Sequence, residues 1–222
     1  MLSAQARAVT DRVVVPIARW LVRRGVTANA LTAFGLAVTL AGVGVVAAGY
    51  PIVGGAVMAV GLLTDAVDGA VARAQGAPTR FGSFFDSVAD RVGDAAALGL
   101  LAWLVADRPV VLALALLAFA AAFTTSYVRA KAESLGWQAT TGVLERPERM
   151  IVVVAGIVLD LVPVAVAVLA VGGVVTVAQR VVSVGRQARG HDGSGGDRAS
   201  GGDRGSGTRR RPRGRGAPGA AR

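Results

Sequence analysis

Four aspartates stand where carboxylates are costly. Asp65 and Asp68 close one apolar stretch, and Asp86 and Asp90 sit near the start of the next. A charge placed inside a span costs at least ~2.5 kcal/mol on insertion scales, so ionisable groups there generally serve function. Their spacings, i,i+3 and i,i+4, put each pair on one helix face. The connection from Arg73 to Gly82 is short, which makes the two helices antiparallel neighbours and brings both pairs to one membrane depth. Carboxylates facing one another repel unless cations lie between them. The chain has no Cys, and its single His191 lies far along the sequence. The ligands are therefore oxygens, a set that suits magnesium, manganese or calcium, as one or two ions. Gly69 lets a ligand phosphate approach the backbone closely. Asp94 continues the Asp86/Asp90 face by one turn and is positioned to hydrogen-bond within the span. The structural alternative is an ion-pair network with Arg73, Arg80 and Arg91. Those arginines gather at the loop rather than beside every aspartate.

The elements that must hold these groups are apolar helices. The 222 residues are 53% hydrophobic and 17% charged, with a mean hydropathy of +0.55. Apolar runs near the ~20 residues that cross a bilayer recur along the chain. Six spans are predicted, over 28–49, 52–73, 83–105, 109–131, 148–160 and 162–184. The fifth is short, because Asp160 and Pro163 break it from the sixth; it can begin as early as Gly142. Residues 5–24 predict an amphipathic helix, with Val13, Ile17, Trp20 and Leu21 on one face and Arg12, Arg19 and Arg23 on another, suited to the membrane interface. No cleavable leader is expected in the first 26 residues. The expected organisation is an interfacial helix over 1–26, a six-span domain over 27–185 and a tail over 186–222. The tail holds ten Arg against three Asp. It has little to bury and is expected to be disordered. It reads as a binder of anionic lipid headgroups rather than of nucleic acid. Alternate loops are basic, which puts both termini and the aspartates on the cytoplasmic side of the cell membrane.

The string Asp65-Ala-Val-Asp68-Gly69-Ala-Val-Ala72-Arg73, eight residues, then Gly82-Ser-Phe-Phe-Asp86-Ser-Val-Ala-Asp90 resembles the signature of the CDP-alcohol phosphatidyltransferases. The resemblance implies an all-α integral membrane enzyme that transfers a phosphatidyl-type group from a CDP-linked lipid to an alcohol and releases CMP. It implies that Asp65, Asp68, Asp86 and Asp90 hold magnesium or manganese, as two ions, with Asp90 also the catalytic base. Asn29, Asp68, Gly69, Arg73 and Thr79 would bind the CDP-lipid, with Thr27 beside them. The family's Thr-Pro-Asn turn reads Thr27-Ala28-Asn29 here. A homodimer is also implied.

The segments Ser126–Glu133 and Gly142–Arg149, with Pro16–Arg19 and Gln179-Arg180, resemble the bacterial phosphatidylinositol-phosphate synthases within that family. That resemblance implies CDP-diacylglycerol and inositol 1-phosphate as substrates, and Ser126, Arg129, Arg146, Arg149 and Arg180 as the acceptor's phosphate site. Arginine forks suit phosphate, and Pro147 marks a helix start, whose free N–H groups favour anions. The subfamily's Lys-then-Arg order is reversed here, as Arg129 and Lys131. The same cations also fit a bare positive-inside signal. A phosphatidylglycerophosphate synthase is the alternative within the family. A small cation channel or transporter is the alternative outside it; it leaves Gly69, Ala72, Arg73 and Gly82 without a role.

Overall fold

The computed structural model describes residues 4–76 and 79–196, with side chains from Val14 to Arg189. Seven helices and no strand occur among the described residues: α1 (Ala4–Arg23), α2 (Ala28–Ala47), α3 (Pro51–Ala74), α4 (Arg80–Leu104), α5 (Pro109–Ser134), α6 (Arg146–Val158) and α7 (Val162–Gly196). Their starts follow elementary rules. Thr27 caps α2 by accepting from Ala30 N at 3.2 Å, and Thr79 caps α4 by accepting from Gly82 N at 2.9 Å. Prolines 51, 109 and 147 occupy the first turns of α3, α5 and α6, where a missing N–H leaves no hydrogen bond unmade.

The helices α2, α3, α5 and α7 are long and apolar enough to cross a membrane. Their outward surfaces carry exposed large apolar residues such as Phe34, Ile52, Leu63, Leu116 and Val171. An exterior of this kind requires lipid, and the chain is a multi-pass membrane protein. Two of the six predicted spans differ in character. The third, α4, is 25 residues long but carries Asp86, Asp90, Arg91 and Asp94. The fifth, α6, has 13 residues and so reaches about 20 Å, short of a hydrocarbon core of about 30 Å. Leu159–Leu161 then turn the chain into α7, with Asp160 at φ +55°.

A shared core of Leu98, Leu101, Val153, Ile157, Val166 and Leu169 joins α4, α6 and α7. Alanines 115, 118 and 122 bring α5 against it. At the other end, α1 packs on α3 through Val14, Ala18, Leu21 and Val22 against Ala70 and Val71. The face expected to meet the membrane interface is a different one: its Ile17 and Trp20 are exposed, Leu21 is half-buried, and the side chain of Val13 lies outside the described residues. The backbone of α7 stays helical to Gly196, beyond the expected boundary at 186. Residues Arg186-Gln187-Ala188-Arg189 propagate a helix readily. The rest of the predicted tail, 197–222, lies outside the described residues.

The contact of α2 with α3 depends on glycine. A Cβ on Gly42 would lie 2.6 Å from Met58 Cγ and 2.8 Å from the carbonyl oxygen of Gly54. One on Gly54 would lie 2.6 Å from Val46 N. Because the obstacle is backbone, repacking cannot relieve it. Gly42→Val is therefore expected to cost about 1–3 kcal/mol, read as a lower midpoint of thermal unfolding in detergent. Gly44→Ala, where an added Cβ meets nothing within 4 Å, is expected to leave that midpoint unchanged.

Candidate active site

The second half of α3 and the first half of α4 carry the acidic groups. Carboxylate oxygens of Asp65, Asp68 and Asp86 lie within 4.8 Å of one another. Asp68 is buried, and Thr32 Oγ1 on α2 donates to its Oδ2 at 2.7 Å. Asp90 lies outside the triad on its α4 side. There it meets Arg146, whose Nη1 is 2.5 Å from Asp65 Oδ2 and 3.1 Å from Asp90 Oδ1. Arg91 Nη2 is 3.6 Å from Asp90 Oδ2. The compensating cation thus comes mainly from α6. Among the described residues, neither Arg73 nor Arg80 forms an ion pair with the aspartates.

Arg146 cannot neutralise the group alone. It pairs with Asp65 and Asp90, which leaves Asp68 and Asp86 without a salt bridge among the described residues. An all-oxygen donor set at this spacing, with charge to spare, fits a hard divalent cation. The triad has the spacing and the chemistry to hold one.

Two cavities open on either side of it. The first, of about 500 Å³, lies where the starts of α2 and α4 face the end of α3. Thr27, Asn29, Asp68, Gly69, Arg73 and Thr79 line it, as does Asp86. An added Cβ on Gly69 would meet only Arg73 Nη1, at 3.6 Å, so the helix backbone is open there. Gly82 allows a close approach of α4: its added Cβ would lie 3.0 Å from Asn29 Oδ1. Thr79 lines the cavity while its hydroxyl caps α4. Gln75 ties the end of α3 to the start of α2 by donating to Val26 O at 3.1 Å.

The second cavity, of about 850 Å³, lies between α4, α5, the start of α6 and α7. Asp86 and Asp90 form part of its wall. Ser126, Arg129, Arg146, Arg149 and Arg180 all line it. Their engagements differ. Arg180 is buried and donates to the carbonyls of Thr125 at 3.0 Å and Thr141 at 3.1 Å. Arg149 donates to Asp94 at 2.7 Å. Arg129 pairs with Glu133 at 2.8 Å on an exposed surface, a contact of little energetic weight. Ser126 Oγ donates to Ala122 O. The loop before α6 is held down by Thr176, which accepts from Leu144 N at 3.1 Å, and by Gln187, which bonds both backbone groups of Gln138.

Thr32, Gln75 and Thr125 also belong to the lining or support of the site and carry no mark in the sequence pattern. Thr32 had one available signal, since it lies one helical turn after Asn29 and so on the same face.

The sequence pattern of CDP-alcohol phosphatidyltransferases matches residues 25–179. A phosphatidylinositol phosphate synthase of Mycobacterium marinum is 39% identical over 81% of this chain and 82% of its own. Two crystal structures of the Mycobacterium tuberculosis phosphatidylinositol phosphate synthase superpose with a TM-score of 0.70 each. One, with CDP-DAG bound, is 33% identical and covers 78% of this chain and 94% of its own. The other, in complex with manganese and citrate, is 34% identical and covers 78% and 88%. With the aspartate spacing, the carboxylate triad and the two cavities, these likenesses agree: the chain belongs to the CDP-alcohol phosphatidyltransferase family.

Proposed function

We propose that this enzyme transfers the phosphatidyl group of CDP-diacylglycerol to inositol 1-phosphate, giving phosphatidylinositol phosphate and CMP. The observation that carries the reading is that Asp86 lines both cavities. A donor phosphate in the first cavity and an acceptor hydroxyl in the second would then meet at the aspartates. Asn29, Asp68, Gly69, Arg73 and Thr79 are the CDP-lipid residues in this reading. Ser126, Arg129, Arg146, Arg149 and Arg180 receive the acceptor's phosphate.

The reaction balances as a displacement at phosphorus. The acceptor oxygen bonds to the phosphorus attached to diacylglycerol, the bond from that phosphorus to the CMP oxygen breaks, and the acceptor's proton passes to Asp90. Asp90 suits that task because it faces the arginine-lined cavity and stands apart from the closest carboxylate triad. Magnesium, with manganese as a substitute, would be held by Asp65, Asp68, Asp86 and Asp90 as two ions that offset charge on the diphosphate and the leaving oxygen. Arg146, shared between Asp65 and Asp90, keeps both carboxylates turned toward the junction.

The same reading extends to the membrane. Arg23, Arg24, Arg73, Arg129 and Lys131 lie at the ends of the helices nearest the aspartates, which supports a cytoplasmic site with both termini on that side of the cell membrane. Six crossings fit if α6 is completed by the loop before it, in which Ala139 and Leu144 are buried. The organisation is then an interfacial helix over 1–26, a catalytic domain over 27–185 and a lipid-contacting basic tail over 186–222. The enzyme is proposed to act as a homodimer. Gly42, Gly54 and Gly61 are already taken up between α2 and α3, so its interface lies elsewhere.

Purified enzyme with CDP-diacylglycerol and magnesium is expected to release CMP with inositol 1-phosphate and not with free inositol or glycerol 3-phosphate. Asp90→Asn should lower that rate by about 10²–10⁴-fold. Activity confined to glycerol 3-phosphate would move the acceptor assignment while leaving the family untouched. A second expectation concerns the metal alone. Removing the hydrogen bond to Asp68 with Thr32→Val should weaken manganese binding about 10–100-fold, read by titration of the free ion's paramagnetic signal.

A further inference from the structure

Asp94 belongs to neither the aspartate triad nor the lining of either cavity, yet three guanidinium groups converge on it. Arg149 Nη2 donates to its Oδ2 at 2.7 Å, Arg91 Nη2 is 3.7 Å from the same oxygen, and Arg146 Nε is 3.5 Å from Oδ1. Asp94 is 1% exposed and Arg149 3%. All three arginines line the 850 Å³ cavity, and Asp94 lies behind them.

An ion pair buried this deeply contributes little net stability, because desolvating both charges cancels much of their attraction. The local chemistry points to another use. The Nε atoms of Arg91 and Arg149, together with Thr125 Oγ1, are buried without a hydrogen-bond partner, and so are Arg146 Nε and Asp94 Oδ1, which lie 3.5 Å apart. Buried polar groups are rarely left unpaired, and Arg91, Arg149 and Thr125 belong to the wall of one cavity. Arg91, Arg129, Arg146, Arg149 and Arg180 stand in the wall with Asp86, Asp90, Glu133 and Glu145, and Asp94 is the carboxylate on which Arg91, Arg146 and Arg149 all converge. Without Asp94 the like charges of Arg149 and Arg91 would drive the side chains apart.

We propose that Asp94 is a positioning residue for the acceptor's phosphate. It never touches the substrate. It holds Arg149, and through charge Arg91 and Arg146, at the cavity wall in the arrangement a phosphate needs. This inference rests on the acceptor site proposed above. It adds specificity to a residue outside the family's aspartate pattern, on the turn after Asp90.

The test is steady-state kinetics of the full-length enzyme carrying Asp94→Asn, which keeps the side chain's shape and removes its charge. KM for inositol 1-phosphate should rise about tenfold or more, since small misplacements of positioning groups carry penalties of that order. KM for CDP-diacylglycerol should stay within about twofold, and inorganic phosphate should lose potency as a competitor of the acceptor in parallel. The effect should also be non-additive. In an Arg149→Met background, Asp94→Asn should add less than about twofold to the acceptor KM, because the two residues act as a unit. That double variant leaves no unpaired buried charge. If Asp94→Asn alone does not fold, Asp94→Glu carries the test: it keeps the charge and displaces the carboxylate by one methylene, with a raised acceptor KM and an unchanged CDP-diacylglycerol KM as its expected result. An unchanged acceptor KM accompanied only by lower thermal stability overturns the proposal, as does an equal rise for both substrates. Wild-type enzyme that turns over no phosphorylated acceptor overturns the proposed function itself, and this inference with it.

Discussion

The arrangement depends on carboxylates that face one another across α3 and α4. Unit charges about 4 Å apart at an effective dielectric near 20 interact by about 4 kcal/mol. Each charge also carries an insertion cost of at least ~2.5 kcal/mol. Desolvation and mutual repulsion together are therefore what the rest of the chain must answer. Part of the answer is Arg146. It is the first residue of α6 and reaches Asp90 and also Asp65, at a sequence separation of 81 residues. The short α6 makes sense in this light: its N-terminus delivers cations to the site, and its apolar remainder, Val153 and Ile157, anchors it in the core.

The second requirement is precision at the far side of α3. Asp68 is oriented by Thr32 of α2, so α2 must run close to α3 over its length. The glycine contacts at Gly42 and Gly54 make that approach possible, and Gln75 closes the opposite end by bonding across to Val26. The first cavity lies between that tie and the Asp68–Thr32 contact. Helix packing and the shape of the first cavity are thus one problem.

Much of this was legible in the sequence, for a local reason. The aspartate spacings are read through helical periodicity, and a short α3–α4 connection leaves the two pairs little choice but to meet. The membership of the second cavity was legible through charge and resemblance, because few arginines interrupt apolar helices. What was not legible depends on long-range placement. Nothing near Arg146 announces that it turns to Asp65 rather than solely to an acceptor. Nothing near Asp94 announces Arg149, because both partners are chosen by how α6 docks on α4. The sequence marks the α1 face that carries Ile17 and Trp20 but not the one that packs, because Val14 and Ala18 are selected by the shape of α3 at Ala70 and Val71. The helical run past Arg186 was misjudged by composition, which ignores that a long helix already nucleated extends cheaply into neutral sequence.

The character of α4 explains why composition marks it poorly as a crossing although it lies at the centre. It carries Asp86, Asp90, Arg91 and Asp94, which no lipid-facing surface could bear. It packs against α2, α5, α6 and α7, so the charges meet protein and cavity rather than hydrocarbon. Its inner half, Ala97 to Leu101, joins the common core. The helix is therefore polar where the chemistry is and apolar where the packing is. Its own outward side chains, Phe84, Val88, Val92 and Trp103, are exposed and apolar, so the charges occupy another face. That separation allows a small chain to keep a dense acidic site at membrane depth, and it follows from the order of residues along one helix, in which Asp86, Asp90 and Asp94 recur every four residues.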